Sequence, residues 1–142
     1  MKNKAIIFDL SGTLVKMRPP TLLVKRSKLK DLKTKYKLAI LTGAKRKETG
    51  NILRKLKIEK FFSLVITKDD SSFKKPDKKL FFLIKKYMRF KKALYIGDTI
   101  KDYKFARNCK IDFLFVGKKT LGIKQDKNIN NLVEYILCKR GR

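Results

Sequence analysis

Residues 5–15 read AIIFDLSGTLV. Four apolar residues run into Asp9, and Gly12 with Thr13 follow at once. An apolar run that stops on a carboxylate and a glycine reads as a strand ending at a tight turn. Backbone N–H groups of such a turn can cradle phosphate oxygens. The carboxylate at its mouth can attack phosphorus or ligate a hard divalent cation. A turn Asp followed by Gly is also ordinary, so the rest of the chain must decide.

Four further runs share the pattern: KLAILT (37–42), SLVIT (63–67), ALYIG (93–97) and DFLFVG (112–117). Counted with KAIIFDL (4–10), they give five short strands, apolar almost throughout, as expected for strands covered on both faces. Helical periodicity lies between them. SKLKDLKTKY (27–36) sets Leu29, Leu32 and Tyr36 on one face, and KRKETGNILRKLK (45–57) sets Ile52, Leu53 and Leu56 together. PDKKLFFLIKKYM (76–88) begins on Pro76 and Asp77, good helix-start residues, and turns Leu80, Phe81, Ile84 and Tyr87 inward. TIKDYKFARNC (99–109) and NINNLVEYILCK (128–139) supply two more helices. Strand–helix alternation implies a parallel sheet with helices on both faces, and ligands then bind beyond the carboxyl ends of the strands. The segment MRPPTLLVKR (17–26) is expected to be an ordered excursion over that site.

The composition narrows the chemistry. The 142 residues suggest one domain over 1–142, able to bury roughly 70% of its unfolded surface. No apolar run approaches the ~20 residues of a membrane span, and the start MKNKAIIFDL reads as a strand rather than a signal peptide. Cys109 and Cys138 form no metal-ligand pattern and read as reduced, buried thiols of a cytoplasmic protein. With no histidine, proton transfer and metal binding fall to carboxylates, hydroxyls, amines and water. Lys and Arg number 39 against 12 Asp and Glu, a net charge of +27. Such a field attracts phosphorylated substrates or nucleic acid, although no aromatic-basic RNA motif is present. Compositional bias with solvated lysines is the plainer account of the same excess.

Residues just past the strands carry the candidate chemistry. Thr42 and Gly43 offer a hydroxyl and an N–H to a phosphoryl oxygen. Lys75, before Pro76, offers an ammonium near a helix start, though most lysines in such a chain are surface residues. In YIGDTIKD, Asp98 and Asp102 stand four residues apart on one helix face. Clustered with Asp9, they would repel one another without a cation, and magnesium suits a few carboxylates plus substrate phosphate. The plainer reading makes Asp98 a helix cap and Asp102 a solvated acid.

FDLSGTL, ILTG, KKPD and IGDTIKD, in that order, resemble the four motifs of the haloacid dehalogenase (HAD) superfamily of phosphatases. The resemblance covers nearly the whole chain. It implies a Rossmann-like three-layer sandwich with a parallel five-stranded sheet ordered 5-4-1-2-3. It implies Asp9 as nucleophile and magnesium ligand, Ser11 as ligand through its backbone carbonyl, and Asp98 as a further ligand. Asp102 would support the metal shell or Lys75, while Gly12, Thr42, Gly43 and Lys75 would hold the phosphoryl group. Two departures stand out. The family's second Asp, the general acid and base, is here Ser11, and such catalysis is typically worth 10²–10⁴-fold. The gaps from Thr13 to Thr42 and from Thr42 to Lys75 leave no room for a cap domain. An open, basic site suits a phosphorylated polymer such as a nucleic-acid end. The sequence therefore points to a magnesium-dependent phosphomonoester hydrolase. A non-catalytic phosphate or nucleic-acid binder and a phosphotransferase are the alternatives, and the oligomeric state is open.

Overall fold

The computed structural model describes residues 2–117, 125–126 and 128–138. The five apolar runs are strands β1 (Lys4–Phe8), β4 (Lys37–Leu41), β5 (Leu64–Ile66), β6 (Lys92–Gly97) and β7 (Asp112–Val116). They pair in parallel throughout. Read across the sheet, the order is β5-β4-β1-β6-β7, which is the expected 5-4-1-2-3 arrangement seen from its other edge. A sixth parallel strand, β8 (Gln125–Asp126), extends the sheet beyond β7. At two residues it is too short to show a period.

Alternation within the strands builds two cores. Ile6, Phe8, Leu38, Ile40 and Ile96 face one side, where α1 (Arg26–Lys35), α2 (Arg46–Lys55) and α5 (Ile129–Cys138) cover them. Ala5, Ile7, Ala39, Leu41 and Tyr95 face the other, beneath α3 (Lys79–Tyr87) and α4 (Ile100–Cys109). The three-layer sandwich is therefore present, with all ten of these strand residues buried. Side chains tie α1 to α5 as well: Lys28 pairs with Glu134, and the Lys25 N–H donates to Asn130 Oδ1 at 2.8 Å.

Local chemistry explains where the helices differ from expectation. Asp77 Oδ1 accepts the Lys79 N–H at 2.9 Å, so α3 starts at Lys79 and not at Pro76. Tyr87, expected inward, is 62% exposed. It is the last residue of α3, and Met88, the next residue round the helix, takes the buried place at 4% exposure. The last residue of the fifth helical stretch, 139, lies outside the described residues. Helices α1, α2 and α3 begin behind Lys25, Lys45 and Lys78, none of which makes a side-chain cap. Only α4 among these four carries a capping box, Thr99 with Asp102.

The excursion after β1 is a small antiparallel hairpin of β2 (Val15–Lys16) and β3 (Thr21–Leu22). Residues 17–20 turn it, and no domain is inserted there. Among the described residues no helix is long and apolar enough to cross a membrane.

Candidate active site

The central strand β1 is flanked by β4 and β6, so the chain reverses its winding direction at the carboxyl end of β1. Crevices of this kind are where open parallel sheets bind ligands. Asp9 leaves β1 there, its backbone N–H donating to Ile96 O at 2.9 Å. Thr42 leaves β4 alongside, its N–H donating to Ile66 O at 2.9 Å. Gly97 closes β6, and Asp98 follows it.

Lys75 joins these elements. Its Nζ donates to Asp9 Oδ1 at 3.0 Å, Asp102 Oδ1 at 2.8 Å and the Tyr95 hydroxyl at 3.0 Å. The sequence offered it as one lysine among many, yet its side chain is only 16% exposed. Burial pulls its pKa down, but Asp9 and Asp102 outweigh burial and leave the ammonium held above its usual range.

Asp9, Asp98 and Asp102 each place a carboxylate oxygen within 4.8 Å of the others. Their surroundings differ sharply. Asp102 is wholly buried and accepts five hydrogen bonds. Lys75 and Tyr95 take Oδ1, at 2.8 and 2.7 Å. Thr99 Oγ1 takes Oδ2 at 2.9 Å, joined by the Asp98 and Thr99 N–H groups at 3.2 Å each. A carboxylate has about four lone-pair sites, so this one is saturated. Asp98, by contrast, is held among the described residues only by a long contact from Thr13 Oγ1 at 3.5 Å and by the Asp9 carboxyl. Burial pushes the Asp9 carboxyl up to about 8; Lys75 opposes this, and Asp102 and Asp98 add to it. Such a set of hard oxygens, with like charges crowded together, fits a small divalent cation.

Gly12 departs from its expected part. Its N–H, expected on a phosphate, is donated to Val15 O at 2.8 Å. What the position requires is space and backbone freedom: φ is +83°, and a Cβ would lie 2.0 Å from Asp98 Oδ2. Gly97 is required for a similar reason, since a Cβ there would meet Asp102 at 2.6 Å. Ser11 is exposed, and its hydroxyl makes no hydrogen bond among the described residues. Thr42 Oγ1 accepts the Ala44 N–H at 3.2 Å, which leaves its proton free to point outward. The Gly43 N–H has no partner among the described residues, and nothing crowds its Cα.

A hollow of about 320 Å³ opens beside these groups, lined by Thr42, Gly43 and Lys75. A larger one, about 520 Å³, lies at the opposite end of the sheet, where β1, β6 and β7 begin at Lys4, Lys92 and Asp112. No candidate residue reaches it, whereas Thr42, Gly43 and Lys75 all line the smaller one. Sequence reasoning missed Tyr95, whose phenol is pushed well above its usual range by burial and by Asp102. A lone hydroxyl in an otherwise aliphatic strand was its signal. It also missed Thr99, although T-x-x-D before an apolar run is a capping-box pattern.

A sequence model of the haloacid dehalogenase-like hydrolases matches residues 25–116. No curated protein matches the sequence. Among solved structures, a HAD-superfamily hydrolase from Ehrlichia chaffeensis shares 15% identity over 98% of both chains, with a TM-score of 0.84. Phosphatase Tt82 from Thermococcus thioreducens shares 26% identity and a TM-score of 0.67, over 84% of this chain and 47% of its own. The candidate HAD-hydrolase YfnB from Bacillus subtilis, in a structure bound to magnesium, shares 21% identity and a TM-score of 0.71, over 78% and 53%. The family match spans well over half of the sequence, and the strand order is the one the resemblance implied. This chain belongs to the haloacid dehalogenase-like hydrolase family.

Proposed function

We propose that the protein is a magnesium-dependent phosphomonoester hydrolase that works through an aspartyl-phosphate on Asp9. The observation that carries this reading is the pairing of Asp9 with Lys75 at 3.0 Å at the mouth of the central strand. The ammonium fixed beside that carboxylate lines an open hollow together with Thr42 and Gly43. Asp9, Asp98 and the Ser11 carbonyl form the natural ligand set, because Asp102 is already saturated and holds Lys75. When bound, magnesium supplies positive charge that favours the carboxylate form of Asp9 and screens its repulsion from an anionic phosphate.

The residues divide the work. Thr42 Oγ1 and the Gly43 N–H donate to phosphoryl oxygens, and Lys75 neutralises charge on the third. Asp9 attacks phosphorus, an O–P bond forms, and the ester oxygen leaves and takes a proton from water. Water then attacks the same phosphorus, releasing phosphate and restoring Asp9. Ser11 is a poor general acid or base near neutral pH, so both steps run slower than a carboxylate at this position would allow. Slow attack by water also leaves the phosphoryl group open to another acceptor, which favours phosphotransfer as a second reading.

The test uses p-nitrophenyl phosphate with magnesium. Wild type turns over, Asp9→Asn does not, and Ser11→Asp gains roughly 10²-fold in kcat. Hydrolysis that survives in Asp9→Asn defeats the proposal.

A further inference from the structure

The acids and the bases around this site are treated very differently by the fold. Asp69 Oδ2 accepts the Arg46 N–H at 2.8 Å. Asp70 is taken by the Arg46 guanidinium at 2.5 Å and by Thr67 at 2.7 Å. Asp77 caps Lys79. The acids of this rim are thus committed to structural bonds. Lys68, Lys74 and Lys101 line the same hollow as Lys75. All three are exposed, and none has a side-chain partner among the described residues. Among the described residues no acidic one lines the hollow.

Phe73 lines it too and is 42% exposed. Its loop is pinned: Ser71 Oγ accepts the Phe73 N–H at 2.9 Å, Lys74 O accepts the Asp77 N–H at 2.8 Å, and Pro76 O accepts from Asn108 Nδ2 at 2.8 Å. Lys79 Nζ lies 5.0 Å from the ring centroid. An aromatic ring held in water on an anchored loop, next to three unpaired cations, is a stacking platform beside an anion path. At about 320 Å³ the hollow is at the small end for an enclosed ligand, and the hairpin turn of residues 17–20 puts no domain over it. A small metabolite would gain little burial here. A polymer brings further phosphates for the lysines and a base for the ring.

We infer that the substrate is the terminal phosphate of a single-stranded nucleic acid, with Phe73 stacking the end base and Lys68, Lys74 and Lys101 binding the phosphates behind it. This rests on the phosphohydrolase reading above. The reaction is R–O–PO₃ plus water giving R–OH plus phosphate, so no co-reactant is needed.

The experiment compares phosphate release from p-nitrophenyl phosphate, from thymidine monophosphates, and from oligothymidylate of about ten nucleotides, within the roughly 4–16 such grooves cover. The oligonucleotide carries its phosphate at the 5′ or the 3′ end in separate arms. For one of these arms kcat/KM exceeds that of the matching mononucleotide by at least tenfold. It falls with salt at a log–log slope of about −2, since three single-strand phosphate contacts give roughly −0.7 each. Replacing Lys68 and Lys101 with Gln brings the slope towards about −0.7. Phe73→Ala lowers the oligonucleotide kcat/KM at least fivefold, the lower end of what one stacked base contributes. If p-nitrophenyl phosphate is hydrolysed but the oligonucleotides gain nothing over the mononucleotides, the substrate inference falls and the phosphohydrolase reading stands. No turnover of any substrate overturns both.

Discussion

Asp98 and Asp102 are four residues apart in one motif, yet replacing each with Asn should have opposite consequences. Asp102 accepts five hydrogen bonds at zero exposure. An Asn of the same shape must place an NH₂ at one of its two oxygen positions. On the Oδ2 side that NH₂ would face two backbone N–H groups and the Thr99 hydroxyl. On the Oδ1 side it would face Tyr95, which can turn to accept, and Lys75, which cannot. The second orientation is cheaper, and it removes one of the two carboxylates that hold a buried ammonium. Breaking a buried pair in this way costs about 3–5 kcal/mol. Above about pH 8 Asp9 is ionised and still paired with Lys75, which sets the expectation there at the lower end, about 3 kcal/mol. Asp98→Asn weakens a 3.5 Å contact from Thr13 and keeps an amide that can still meet the Asp9 carboxyl, so it should change stability by less than about 0.5 kcal/mol. Urea unfolding followed by circular dichroism, with magnesium chelated, measures both. Both variants should lose hydrolysis. Equal destabilisation by the two substitutions, or a loss below about 1 kcal/mol for Asp102→Asn, refutes the division between a ligand and an anchor.

Other expectations are quickly checked. Folded Asp9 holds its proton up to about 8, against 3.8 for the ordinary group, so the metal-free fold weakens as pH rises between those values. Melting temperatures of wild type and Asp9→Asn should converge near the lower pH, with the variant higher at the upper one; parallel curves contradict this. Thr49 Oγ1 is buried without a hydrogen-bond partner among the described residues, so Thr49→Val should stabilise by about 1 kcal/mol in urea, and a loss contradicts this. Burial pushes the Cys109 thiol up to about 12, whereas Cys138, expected to be buried, is exposed at the end of α5. Iodoacetamide at mildly alkaline pH should alkylate Cys138 and spare Cys109, as peptide mass spectrometry will show.

How much of this could be read beforehand follows from which interactions are local. The five long strands were legible because Ile6, Phe8, Leu38 and their neighbours are buried from both sides, which makes each run apolar without interruption. The hairpin and β8 have two residues per strand, too few for a period to register. The start of α3 was misplaced because Pro76 is a generic signal, while the cap that decides is the specific bond from Lys79 N–H to Asp77. At the site, Asp9 and Asp98 were visible as carboxylates at strand ends. Lys75 was marked by its place before Pro76 and by KKPD, but its burial was not legible among 38 other cations, because its partners Asp9 and Asp102 are 66 and 27 residues away. At Gly12 the sequence pointed to the N–H, whereas in the fold that N–H is bonded to Val15 O and it is the missing Cβ that makes room for Asp98.

The lysines behind α1, α2 and α3 have one more consequence. Each puts a cation against the positive end of a helix, where an acid or a hydroxyl is the favourable neighbour. Added to a net charge of +27, this makes the native state a polyelectrolyte under self-repulsion. Its counter-ion cloud is then a structural component, and thermal resistance should climb with ionic strength even where catalysis is slowed by it.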